Sequence, residues 1–236
     1  MQASPEPRRF ERRIASIAVA PEAPNGAPGS VRRGKLRRPT LPADAVDRPR
    51  LAELIDAGRA PCTLIVAPGG FGKTIAAAEW AAAANAAWLT ADAGDVALDR
   101  FWVRLRAALN PLAPGVGEPV TIALAAPLRP AAIDLGRMLA DELADVAGPV
   151  RLVIDDLHLI PPSEVHEFIA GLLEPAPPTL RLLVVARNEP PLPLNRLRLH
   201  GSLHDVRGAD LLFTEEEIRR LLERAVAGAT DSLATL

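Results

Sequence analysis

The sequence predicts an α/β fold built around a parallel sheet, and three observations carry that expectation. A short apolar run at 64–67 leads into Pro68-Gly69-Gly70-Phe71-Gly72-Lys73-Thr74, and an alanine-rich helical run follows to about residue 84. Two later apolar runs, at 150–154 and 180–186, end on polar residues: Asp155 and Asp156 after the first, Arg187 after the second. Helical spacing fills the stretches between such runs. Parallel strands buried on both faces read as unbroken apolar runs, and they show charge only at their ends, where open sheets hold ligands.

Size and composition agree with a globular chain. Its 236 residues are 49% hydrophobic and 24% charged, enough for one α/β domain with an extension. A formal net charge of −2 argues against a surface that coats nucleic acid or anionic membrane throughout. The single cysteine, Cys62, excludes an internal disulfide and suits a reducing cytoplasm; at the start of an apolar strand it reads as a small packed side chain. No run approaches the ~18 apolar residues that a membrane helix needs.

In chain order, residues 1–38 mix arginine pairs with prolines and lack the apolar content to fold alone, so a disordered basic tail is expected there. A short apolar run at 14–20 only faintly resembles an export signal, and arginines that touch nucleic acid or acidic lipid are the other functional reading. A solvated tail, or an over-called start, fits better than either. The core is expected over 39–213. Its lead-in around Arg48-Pro49-Arg50 runs into a helix at about 50–57, and such a lead-in can cover a nucleotide base. Arg48 is therefore a candidate nucleotide contact, and an ordinary loop and helix cap fits the same residues equally well.

The glycine loop between the strand at 62–67 and the helix at 73–85 has the parts of a phosphate-binding P-loop. Backbone N–H groups at a helix start, aided by the helix dipole, are preorganised donors to a polyphosphate. Pro68, Gly69, Gly70, Phe71 and Gly72 form the cradle, with the glycines giving the curl that a Cβ would obstruct. Lys73 is expected on the β- and γ-phosphates and the Thr74 hydroxyl on Mg²⁺. The motif G-x-x-x-x-G-K-[ST] asks for glycine at 67, where this chain has Ala67; alanine is tolerable if it stays in the strand at negative φ. A bare Gly-Gly turn is the bland alternative, but it does not call for Lys-Thr at the helix start.

Beyond the P-loop, residues 87–91 read as a second strand and 92–99 as an acidic turn. Residues 101–109 read as a core-facing helix, 111–129 as a loop and 133–146 as another helix. After the strand at 150–154, Asp155 is the expected Mg²⁺-side carboxylate, acting through water. Asp156 is placed to orient or deprotonate the attacking water. His158 reads as a loop hydrogen-bonder, since no second His or Cys stands at ligand spacing. Ser163 is an expected N-cap for a helix at 163–173. Arg187, opening the loop after the next strand, is either a phosphate sensor or a surface arginine. A short turn at 194–200 and an edge strand at 203–207 follow. Thr214 and Glu217 then form a capping box at the start of the last helix.

Taken together, these blocks resemble the N-terminal ATPase module of MalT-type LuxR transcriptional activators, a bacterial branch of the STAND ATPases. The resemblance runs from about 35 to 225. It is carried by the segments at 35–42, Arg48-Pro49-Arg50-Leu51, 67–74, 87–89, Asp95, 100–102, 152–158, 185–187, 190–194 and 211–217. The Asp-Asp-x-His, Pro-Pro-Leu-Pro-Leu and Phe-Thr-x-Glu-Glu blocks are more specific than the P-loop alone. It implies a P-loop NTPase three-layer sandwich with strand order 2-3-4-1-5, which sets the strand leading to Arg187 between the P-loop and Asp155 strands and favours Arg187 as sensor. Related modules often carry Ala-Pro at positions 67 and 68.

It further implies ATP or ADP with Mg²⁺ as ligands, a slow hydrolytic switch, and protein partners or self-assembly. Residues 214–236 would be the start of a helical lid, and the chain as given would stop before the winged-helix, repeat and DNA-binding helix-turn-helix domains. No residues that touch DNA are expected within it. A stand-alone P-loop ATPase and a truncated remnant that binds nucleotide poorly are the competing readings.

Overall fold

Five short strands, the first four largely apolar and the last mixed, pair into one parallel sheet: β1 (Cys62–Val66), β2 (Ala87–Thr90), β3 (Val150–Asp155), β4 (Leu180–Ala186) and β5 (Leu203–Arg207). The computed structural model describes residues 33–42 and 45–234, with side chains through residue 224. The sheet order is β2-β3-β4-β1-β5, as the resemblance implied. β1 lies in register between β4 (Leu64 opposite Val184) and β5 (Leu64 opposite Asp205), with β5 at the edge.

Alternation along the strands sends successive side chains to opposite faces and so builds two cores. On one face Leu64, Leu89, Ile154 and Val184 pack with α3 (Leu98–Leu109), α5 (Ala132–Ala144) and α6 (Glu164–Leu172). On the other, Ile65, Trp88, Val153 and Val185 meet α1 (Pro49–Ala57) and α2 (Lys73–Ala84). The result is an α/β/α sandwich of the P-loop NTPase type. No described helix is long and apolar enough to cross a membrane.

One contact decides how the first helical layer packs. Gly136 on α5 and Gly171 on α6 face each other's backbones. A Cβ on Gly136 would stand 2.0 Å from the Phe168 carbonyl oxygen, and one on Gly171 would stand 2.0 Å from that of Ile133. Only hydrogen fits between the two helices there.

Three expectations need correction. The stretch 111–129 is not all loop, because α4 (Glu118–Ala125) forms within it. Pro119 falls in the first turn, where a missing N–H costs nothing. Val120 is fully buried, and Thr121 Oγ1 accepts from Trp102 Nε1 at 3.0 Å. Ser163 holds the N-cap position of α6, but its hydroxyl makes no capping bond and is buried without a partner. The tail expected over 1–38 lies outside the described residues as far as 32. Its last part is ordered: Arg33–Leu36 forms a 3-10 turn in which Lys35 Nζ bonds Asp92 Oδ2 and Leu36 packs on the core. After β4 the expected turn, edge strand and last helix appear as α7 (Leu194–Leu199), β5 and α8 (Glu215–Ala234), and a 3-10 turn at Gly208–Leu211 adds to them.

Candidate functional site

The glycine loop turns between the end of β1 and the start of α2. Gly70 (φ 84°) and Gly72 (φ 73°) both occupy the left-handed region that L side chains avoid. A Cβ on Gly70 would meet nothing within 4 Å, and one on Gly69 would meet only the Arg187 guanidinium carbon, at 4.0 Å. The loop therefore fronts open space bordered by an arginine. Ala67, where the motif asks for glycine, is buried and continues the ladder by donating to Ala186 O at 3.4 Å. It is not among the positive-φ residues, so its Cβ is tolerated.

Lys73 is almost buried, and its Nζ donates to Pro68 O across the loop at 2.8 Å. Burial lowers its pKa, reinforced by Arg187 and opposed by Asp156 and Asp155. Thr74, next on α2, donates its hydroxyl to Asp155 Oδ1 at 3.4 Å. Asp155 ends β3 and is 2% exposed. Burial, then the like charge of Asp156, push its carboxyl up to about 7, against the pull of Thr74, the Asp156 N–H and Lys73. The Asp155 carboxylate and the Thr74 hydroxyl beside it are both hard oxygen donors. Both suit Mg²⁺ carried in on phosphate, an ion that takes few protein ligands. Among the described residues no group of three or more His, Cys, Asp and Glu side chains gathers as an all-protein metal cage.

Asp156 is held at φ 58°, a left-handed conformation, so the chain turns sharply as it leaves β3. Its N–H donates to Asp155 Oδ1 at 3.0 Å, and its own carboxylate stays about one-third exposed. His158 Nδ1 stands 3.9 Å from that carboxylate; burial lowers the imidazole pKa, against the opposing pull of Asp156. Arg187 follows β4, which lies between β3 and β1, and is exposed. It is close enough to depress the pKa values of both Lys73 and His158. The structure thus brings Gly69, Gly70, Lys73, Thr74, Asp155, Asp156 and Arg187 to the C-terminal rim of one sheet.

Phe71 and Arg48 join the glycine loop to the end of the core. Phe71 packs toward Gly208, where a Cβ would stand 3.3 Å from its ring. Arg48 is 4% exposed and mostly committed to the end of the core. Its Nη2 donates to Leu211 O (2.7 Å) and Leu212 O (3.0 Å), and its Nε pairs with Glu217 Oε2 at 3.2 Å. Its guanidinium lies 4.3 Å from the centroid of the Phe213 ring. Its Nη1 points back to the loop, 3.7 Å from where a Cβ on Gly72 would sit. The sequence reading treated the Thr214–Glu217 box as a local cap and missed that Glu217 is also the counter-ion of Arg48 and Arg50. The acid and its two arginines stand more than 160 residues apart, so no local pattern joins them.

Cys62 is fully packed, and burial pushes its thiol up to about 12, so it is no nucleophile. A cavity of about 20 Å³ between α1, α2 and the N-terminal ends of β1 and β4 includes Thr63 and Trp80 in its wall and lies away from the rim.

No protein-family model matches the chain. The HTH-type transcriptional regulator MalT of Klebsiella pneumoniae subsp. pneumoniae is 34% identical over 192 residues, 80% of this chain and 21% of that protein. MalT of a second Klebsiella pneumoniae strain gives the same figures. MalT of Serratia proteamaculans is 34% identical over 201 residues, covering 84% of this chain and 22% of its own. The chain spans about a fifth of the length of the curated relatives it matches. This identity over four-fifths of its length, with the strand order that accompanies it, assigns the chain to the family of MalT-like transcriptional regulators, as the counterpart of one module of those longer proteins.

Proposed function

We propose that the chain is a STAND-type nucleotide switch that binds ATP with Mg²⁺, hydrolyses it slowly, and lets the ATP or ADP state govern assembly with protein partners or with further copies of itself. The observation that carries this reading is the meeting of Thr74 and Asp155 at 3.4 Å beside the glycine loop. Two segments remote in sequence converge where a phosphate-bound cation needs a hydroxyl and a carboxylate.

In this reading the N–H groups of residues 69–74 receive the phosphate oxygens, and Lys73 exchanges its bond to Pro68 O for one to phosphate. Thr74 and Asp155 hold the Mg²⁺ side, Asp155 through water. When bound, the metal neutralises charge on the phosphoryl oxygens. Asp156, exposed and adjacent, orients the attacking water and takes up its proton. Arg187 reads the terminal phosphate with its guanidinium from the neighbouring strand. Phe71 completes the loop, and Arg48 supports it from behind. A buried free cysteine and the dependence on ATP accord with the cytoplasm.

The deciding experiment is an ATP titration, with Mg²⁺ present, of the full chain and of Lys73→Ala. Binding by the former and not by a folded Lys73→Ala protein is the expected result. Equal binding by the two would overturn the proposal.

A further inference from the structure

The core ends in a knot of charge that a plain helix start does not need. Arg50 grips Glu217 as a fork, Nε to Oε1 at 2.8 Å and Nη2 to Oε2 at 3.0 Å, while Arg48 Nε approaches Oε2 from the other side at 3.2 Å. Thr214 N–H adds a third donor, at 2.9 Å. Glu217 is 5% exposed and Arg48 4%, so charges of both signs have been taken out of water together. Burial alone would raise the Glu217 carboxyl, but Arg50, the Thr214 N–H and Arg48 overcome it and hold it at about 2.

Two features show what this knot is joined to. Arg48 Nη1 faces Gly72, the left-handed residue that starts α2, and Phe71 of the same loop lies against Gly208 in the turn leading to α8. On α8 itself Ile218, Leu221 and Leu222 are 45%, 39% and 60% exposed. The helix is therefore seated chiefly by polar contacts at its first turn, with Arg224 adding a bond to Ala45 O. Lifting that turn would take from Arg48 the carboxylate paired with its Nε and leave only Glu79, whose own carboxyl burial raises, to balance a buried guanidinium, which is unfavourable.

We infer that Glu217 is a positioning residue for the glycine loop: through Arg48 it makes the conformation of Phe71 and Gly72 depend on whether the first turn of α8 is seated. This rests on the nucleotide reading above and extends it from the ligand to the helix that leaves the core. Linkage makes the effect reciprocal: bound nucleotide strengthens the seat of α8 by the same factor that the seat strengthens nucleotide binding.

The test combines ATP titration in Mg²⁺ with amide hydrogen exchange on the full chain, for the unmodified protein, Glu217→Gln and Arg50→Ala. Arg50→Ala removes the fork on Glu217 and the bonds to Asp210 O and Leu212 O that seat the same turn, while leaving Arg48 in place. Glu217→Gln is expected to weaken ATP binding roughly five- to tenfold, within the range of ordinary coupling between sites, and Arg50→Ala, which unseats the same turn, by at least about twofold. In the unmodified protein ATP should slow exchange of the amides at 214–218 by a factor matching the Glu217→Gln loss.

Three results would overturn the inference: Glu217→Gln binding ATP like the unmodified chain, Arg50→Ala doing the same, or no ATP-dependent protection at 214–218. The last needs no variant to fold. If ATP binds and Lys73→Ala abolishes it while Glu217→Gln changes nothing, this inference alone fails. If the unmodified chain binds no ATP, the nucleotide reading fails with it.

Discussion

Thr74 Oγ1 and Asp155 Oδ1 stand 3.4 Å apart although 81 residues separate them in the chain. Thr74 stands in the first turn of α2, one loop beyond β1, and Asp155 closes β3, two strands away across β4. Parallel strands point their C-terminal ends the same way, so residues that follow β1, β3 and β4 share one rim. Had the two residues lain on opposite sides of the sheet, no phosphate-bound metal could touch both.

Lys73→Ala tests the cradle. The fold should persist, because Nζ makes its one hydrogen bond to a loop carbonyl. ATP affinity should fall by about 2 kcal/mol or more, the scale of a lost charge-assisted bond. Isothermal titration gives the affinity, and circular dichroism gives the fold.

Asp156→Asn separates binding from chemistry. The carboxylate is partly exposed and bonds none of the loop, so ATP affinity should change less than about threefold, while single-turnover hydrolysis slows by about 10²-fold, the usual worth of a positioned base. Unchanged turnover would remove Asp156 from the mechanism.

Asp155 makes a prediction about pH. Its folded pKa of about 7 lies above the ordinary 3.8, so the native state keeps a proton that the unfolded chain releases. Its contribution to stability is therefore greatest below about pH 4, declines as pH rises toward 7, and is flat above. Asp155→Asn keeps an acceptor for Thr74 and removes the charge. Without metal or nucleotide the variant should be more stable at pH 8, by about 2 kcal/mol once the shift is discounted for partial solvation. Urea unfolding of both proteins at pH 5 and pH 8, with a chelator present, measures the difference. A gap no larger at pH 8 than at pH 5 would contradict it.

Gly136→Ala tests the helical layer. The added methyl would meet a backbone carbonyl that cannot swing aside, so α5 and α6 must separate. Overpacking of this kind costs about 1–3 kcal/mol. The thermal midpoint should drop while ATP binding stays within about twofold, since the contact lies in the core away from the rim.

The strands, the glycine loop and the paired aspartates were legible in the sequence because each is a local pattern. An apolar run bounded by charge, glycines before Lys-Thr and Thr214 three residues ahead of Glu217 need no knowledge of what lies across the fold. The short helix inside 111–129 was not legible. The prolines and glycines around it read as loop, and what stabilises it is the burial of Val120 and the bond from Trp102, both supplied by other elements. Gly136 and Gly171 carry no local signal either, since their purpose is the close passage of a neighbouring backbone.

By itself, then, the sequence determined which segments become strands and which residue types stand at their ends, since backbone propensity and burial periodicity act over a few residues. Tertiary structure alone decided what those ends meet. It set Thr74 beside Asp155, and it set Arg48 beside Glu217. Such pairings depend on strand order and on which charges lose water together, quantities that exist only once the chain has closed on itself.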